Sequence, residues 1–155
     1  MDEPNFSEGQ LQQLTNTEIF NLVRGTHPLG VPVVIPPWLE DMWGWDTGFW
    51  LPWLGRRHPV QRGCNFFIQY KLSARHESEY AKGWKHWKQP FLRFHLGYRR
   101  KRRWDYSQRN ALARLSSSGF RVAYVTNHVL DSTDLFNLAA ADRLCTELPA
   151  KVNLI

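Results

Sequence analysis

Apolar residues recur along this chain with two different periods, and the switch between them predicts its elements. Leu11, Leu14, Ile19, Leu22 and Val23 follow near-helical spacing, which predicts a helix over residues 15–24 with a further turn before it left open, ended by Gly25 and Pro28. Val31 to Ile35 is a short β-branched run stopped by Pro36-Pro37. Residues 38–53 are rich in Trp and hold Gly44, Gly48 and Pro52, so they read as a turn leading into a short strand over 46–50, followed by a polar loop at 56–59. Residues 66–72 form an apolar strand broken only by Gln69 and Lys71, and residues 91–96 alternate in the manner of a half-buried strand. A helix over 108–115 gathers Ala111, Leu112 and Leu115 on one face. A strand over 120–126 and an amphipathic helix over 131–148, capped by Asp131 or Ser132, complete the chain.

The resulting order is helix, three strands, helix, strand, helix. It predicts one α/β domain over residues 1–155, with a sheet of mixed direction and a C-terminal helix, because the later strand–helix–strand unit should form a parallel pair. Residues 1–10 read as a polar, mobile lead-in. There are no internal repeats.

Composition narrows the class. With 43% hydrophobic and 22% charged residues the chain can bury a core, and no apolar run reaches the roughly 18 residues that a membrane span needs. The acidic start Met1-Asp2-Glu3 is unlike a secretory signal, and Cys64 and Cys145 are too few for a disulfide framework. Both point to the cytoplasm. The net charge of +6 gains meaning from its distribution. Residues 80–104 hold no Asp or Glu but contain Lys82, Lys85, Lys88, Arg93, Arg99, Arg100, Lys101, Arg102 and Arg103, interleaved with Trp84, Trp87, Tyr98 and Trp104. This basic, aromatic insert suits phosphate backbones and unstacked bases; the plainer alternative is a solvated basic loop with Trp84 and Trp87 on the core.

The candidate chemistry lies on the strand at 66–72. Gln69 and Lys71 are two apart and share a face, and an antiparallel neighbour could set Asp46 beside Gln69. Asp46, the Gln69 side-chain oxygen and the Tyr70 carbonyl would be hard ligands for Mg²⁺ or Mn²⁺. Lys71 could orient or deprotonate a metal-bound water, or stabilise charge on phosphate. Other readings stay open: Asp46 as a turn aspartate, Gln69 and Lys71 as a solvent-facing strand edge, Glu18 as the acid of a capping box Thr15-Asn16-Thr17-Glu18. His58, His86 and His95 have no partners at zinc spacing, and His76-Glu77-Ser78-Glu79 reads as an exposed loop. The Trp cluster at 38, 43, 45, 50 and 53 reads as core and cleft wall more than as surface.

Gly44-Trp45-Asp46-Thr47 followed by Gln69-Tyr70-Lys71, in this element order, resembles the core of the PD-(D/E)XK, or restriction-endonuclease-like, nuclease superfamily in the Q-x-K variant of its Mrr-like and resolvase-like branches. The resemblance spans roughly residues 15–126 and implies an αβββαβ core. It also implies that Glu18, by its place on the first helix, assists the metal site, and it gives Gln108 a weaker likeness to a helix glutamine of some branches. The activity implied is metal-dependent phosphodiester hydrolysis, mainly of DNA, by a homodimer or with partner proteins, in restriction, repair, mobile-element or phage-defence settings. Because glutamine replaces a carboxylate, metal affinity should fall unless Glu18, Glu40 or Asp41 contributes. The alternative is an inactive member of the same fold that binds DNA, RNA or a protein.

Overall fold

A capping box opens the first helix two turns earlier than the hydrophobic spacing predicts. In the computed structural model, which describes residues 1–24, 32–51, 64–100 and 103–147, the Gln10 amide donates to Ser7 Oγ at 3.1 Å. The Ser7 amide donates to Gln10 Oε1 at 2.8 Å, the reciprocal pair that starts a helix. Helix α1 therefore spans Glu8–Arg24, and Thr15 to Glu18 lie in its interior. The apolar period missed the first turns because the buried face of α1 is mixed: Leu11 shares it with Thr15, Asn16 and Glu18.

The chain continues through β1 (Val33–Val34), α2 (Pro37–Trp43), β2 (Thr47–Leu51) and β3 (Cys64–Lys71). It then leaves the central sheet for β4 (Ala74–His76), α3 (Trp84–Trp87), β5 (Phe91–Arg93), β6 (Tyr98–Arg100) and β7 (Arg103–Asp105). It returns through α4 (Ser107–Ser117) to β8 (Arg121–Thr126) and ends in α5 (Ser132–Ala140) and α6 (Leu144–Glu147). The sheet order is β1-β2-β3-β8. The first two pairings are antiparallel and β3–β8 is parallel, which is the mixed sheet that the strand–helix–strand unit predicts.

Three expected elements are placed differently. The strand expected at 91–96 is short and pairs with β4 in a separate two-stranded sheet; alternation marks a half-buried strand but not the sheet it joins. The stretch expected as a turn before Asp46 contains α2, with Pro37 at its first position and Gly44 closing it in the left-handed region at φ 79°. The last helix is broken after Ala140, where Asp142 adopts φ 53°, and α5 is capped by Asp131, which accepts from the Thr133 amide at 2.7 Å. Residues 1–7, expected as a mobile lead-in, lie across the domain. The backbones of Asp2 and Arg75 exchange hydrogen bonds, Asn5 bonds Asp131 and the Ser132 amide, and Phe6 is buried. The expected helix stop at Gly25 and Pro28, the loop at 56–59, Trp53, and Leu148 fall outside the described residues.

Alternation along β3 divides the core in two. Ile68 and Tyr70 join Leu11, Phe49, Leu135 and Leu144 on the α1 side. On the α4 side Phe67 and Tyr124 pack with Trp45, Leu112 and Val122. The Trp cluster divides as well: Trp45 is buried, while Trp38 and Trp43 are exposed. Among the described residues no helix is long and apolar enough to cross a membrane.

Candidate active site

Asp46 precedes β2, where the register pairing Thr47 with Ile68 brings it alongside Gln69 and Tyr70. The Tyr70 amide donates to Asp46 Oδ2 at 2.6 Å, and the Asp46 amide donates to the Ile68 carbonyl at 2.8 Å. The aspartate is thus built into the sheet rather than spent on a turn. Its other oxygen, Oδ1, is buried without a hydrogen-bond partner. On the opposite face the Tyr70 hydroxyl donates to Asn16 Oδ1 at 2.7 Å, and Asn16 and Gln12 donate to Thr47 Oγ1. These bonds fix Tyr70, and with it the backbone that holds Asp46.

Gln69 is fully buried. Its Nε2 donates to Gln108 Oε1 at 2.9 Å, and Gln108 Nε2 points to Glu40 Oε2 at 3.4 Å. When ionised, Glu40 only accepts, and it then sets the orientation of the Gln108 amide and through it that of Gln69. Gln69 Oε1 is left facing away from Gln108, buried and unpartnered. Unsatisfied buried oxygens are uncommon and costly; here one belongs to Asp46 and one to Gln69. Three more among the described residues are the hydroxyls of Thr15, Ser107 and Tyr124, the last belonging to the residue paired with Gln69 across β3–β8.

Charge surrounds these oxygens. Lys71 lies 3.5 Å from Glu8 Oε1 in the first turn of α1. Burial raises the Asp46 carboxyl to about 6, against the pull of the Tyr70 amide and of Lys71. Burial and then Asp46 itself raise Glu40 to about 7. Burial also raises the Tyr124 hydroxyl, which Arg109 opposes. Among the described residues no group of three or more His, Cys, Asp or Glu side chains gathers as a metal cage. The donors on hand are a carboxylate and an amide oxygen, with Glu40 coupled to them.

The expected site residues fare differently. Asp46 lies beside the Gln69–Tyr70 stretch of β3, and the charge of Lys71 acts on Asp46. Tyr70 enters through its amide; nothing distinguishes its carbonyl, expected as a ligand, from the rest of the β3 backbone. Glu18 does not join them: its Oε2 and Oε1 accept from the Leu144 and Cys145 amides at 2.9 and 2.8 Å. It caps a helix, as the plainer reading held, but that helix is α6 and not its own. Gln108 bonds Gln69 directly. Glu8 was hidden in the expected lead-in; the Ser7-x-x-Gln10 spacing was the signal that would have put it on a helix. Of the basic insert, Lys82, Lys85 and Lys88 are exposed, Arg99 and Arg100 lie on β6 and Arg103 on β7, and Lys101 and Arg102 fall outside the described residues. His76, expected in a loop, ends β4 and stacks on Phe91.

Compared with models of protein families, with curated proteins and with solved structures, the chain matches none.

Proposed function

We propose that the protein is a metal-dependent nuclease that hydrolyses phosphodiester bonds of nucleic acid, DNA first among them. The observation that carries this reading is the pair of buried, unpartnered oxygens, Asp46 Oδ1 and Gln69 Oε1, with Lys71 one strand period beyond. The element order α1, β1, β2, β3, α4, β8 supports the αβββαβ core of the PD-(D/E)XK class, with β1 rather than the 91–96 segment as the third strand of the run.

The donor set fits a hard divalent cation, Mg²⁺ or Mn²⁺. Asp46 and Gln69 would hold it, and Glu40 would add a second negative charge when ionised. Such an ion, when bound, supplies Lewis-acid polarisation of the phosphodiester and acidifies water. The residues of the chain do the rest. The Tyr70 amide keeps Asp46 from turning, Gln108 keeps the oxygen of Gln69 rather than its nitrogen toward the site, and the Lys71 ammonium neutralises charge developing on the phosphate.

The deciding experiment incubates the protein with plasmid, linear duplex, single-stranded DNA and RNA, in Mg²⁺, Mn²⁺ or EDTA, with Asp46→Ala alongside. Cleavage that needs the metal and is lost in the variant is expected. Folded protein that cuts none of the four substrates in either metal overturns the reading. Binding without cleavage would favour the inactive nucleic-acid-binding module, for which the neutral amide at position 69 is the supporting observation.

A further inference from the structure

Between β3 and α4 the chain carries flat side chains that the core does not use. The His95 ring stacks on Trp104 with centroids 5.3 Å apart and planes at 24°, and Trp104 stacks on Tyr106 at 6.4 Å and 24°. The Arg109 guanidinium lies 5.4 Å from the centre of the Tyr106 ring. Burial does not explain this ladder: Trp104 is 51% and Tyr106 40% exposed, and His95 and Arg109 are exposed as well. The backbone is shaped for it. A Cβ on Gly97 would stand 2.6 Å from the Asp105 carbonyl oxygen and 2.7 Å from the Tyr106 ring, so only glycine lets that ring lie where it does.

One end of the ladder is next in sequence to the candidate site. Arg109 acts on the hydroxyl of Tyr124, the cross-strand partner of Gln69, and its neighbour Gln108 bonds Gln69 itself. A second aromatic group lies nearby in sequence, where Trp87, 54% exposed, stacks on Phe91 and Phe91 on His76. With Lys82 and Arg93, Trp87 and Phe91 line a groove of about 500 Å³. Residues 80–104 carry nine Lys and Arg and no Asp or Glu. That charge commits the surface to a polyanion. Exposed aromatic rings add something that phosphate cannot use, a flat apolar surface on which a base can stack, and a base in an intact duplex has no free face to offer.

We propose that the His95–Trp104–Tyr106–Arg109 ladder is a platform for unpaired bases, and that the strand delivered to the Asp46–Gln69 site is single-stranded nucleic acid rather than intact duplex. The second half of the statement rests on the nuclease reading; the first rests on the ladder alone.

The test is fluorescence anisotropy in EDTA, where nothing can be cut. The probes are labelled strands of about 12 nucleotides: single-stranded DNA, single-stranded RNA, duplex DNA, and an abasic strand with the same phosphates. Base-bearing single strands are expected to bind about tenfold or more tighter than the abasic strand and the duplex, and the tighter of DNA and RNA names the sugar. Trp104→Ala and Tyr106→Ala should each weaken single-strand binding about fivefold or more, leave the abasic strand unchanged and melt within a degree or so of the parent. Trp104→Phe should keep most of the affinity. Abasic or duplex binding as tight as the single strand, or an unchanged Trp104→Ala, overturns the platform and leaves charge alone to explain binding. The two ideas therefore fail separately: absent cleavage with intact base-dependent binding removes the nuclease, whereas duplex cutting indifferent to Trp104 removes the platform.

Discussion

The Tyr70 amide donates to Asp46 Oδ2 at 2.6 Å, and burial nevertheless holds the Asp46 carboxyl at about 6. An amide donor favours the ionised form, so desolvation outweighs it. The folded carboxyl is raised above its unfolded value of 3.8, so the folded state is favoured by protonation. The associated stability is complete below about pH 4 and is lost as pH rises through about 6, and Glu40 extends the loss toward 7. In EDTA the stability should fall across that window by on the order of 3 kcal/mol from Asp46, read as a lower melting temperature. Asp46→Asn should flatten the profile and melt higher than the parent at pH 8. Added Mg²⁺ should raise the melting temperature of the parent and not of the variant; a parent profile that is flat from pH 4 to 7 would contradict the argument.

Lys71 is expected to serve the reaction rather than the fold. Its pairing with the half-exposed Glu8 is worth at most about 1 kcal/mol. Lys71→Ala should therefore melt close to the parent while cleavage falls about a hundredfold or more, with binding of nucleic acid in EDTA little changed. A Lys71→Ala protein that cuts as fast as the parent in Mg²⁺ would remove Lys71 from the mechanism.

Glu18 should behave in the opposite way. Both its oxygens accept amides of α6, and Glu18→Gln turns one acceptor into a donor facing a donor. A loss of roughly 1–3 kcal/mol is expected, seen as a lower denaturation midpoint. The cleavage rate per folded molecule should not move. If that rate collapsed while the midpoint held, Glu18 would belong to the chemistry after all.

Gly44→Ala tests the join between α2 and α4. The residue sits at φ 79°, and a Cβ there would lie 2.5 Å from the Leu112 amide nitrogen and 2.6 Å from the Gln108 carbonyl oxygen. Neither backbone atom can yield as a side chain would, so a loss of about 3 kcal/mol or more is expected, read by chemical denaturation. The same shift would draw α2 and Glu40 away from Gln108, so metal affinity should fall alongside stability.

What the sequence made legible follows from which rules are local. Period-two alternation was enough to put Gln69 and Lys71 on one face, and short antiparallel pairing was enough to bring Asp46 to them. The parallel β3–β8 pair followed from the intervening helix. Hydrophobic spacing failed on α1, whose inner face carries Gln12 and Asn16 for hydrogen bonds with Thr47 and Tyr70 rather than for apolar burial. The Pro36-Pro37 pair looked like a break, although proline at a first helical position followed by glycine after Trp43 is a start and a stop. Partners distant in sequence stayed out of reach: the capping of α6 by Glu18 and the bond from Gln108 to Gln69 depend on how helices pack, which spacing along one helix does not encode.

The parallel pairing of β3 with β8 bears on how the protein comes to exist. These neighbouring strands are separated along the chain by two hairpins and two helices, so the central sheet closes only after a long loop of sequence has been brought back on itself. Local pieces such as α1 and the β4–β5 hairpin can form in microseconds, whereas closure of this kind belongs with the slower, topology-limited events of folding. Tyr124 and Gln108 reach Gln69 only at that closure. A nascent or partly unfolded chain would therefore hold Asp46 and Gln69 in adjacent strands and still lack a finished site, and the appearance of activity during refolding should trail the appearance of helical signal.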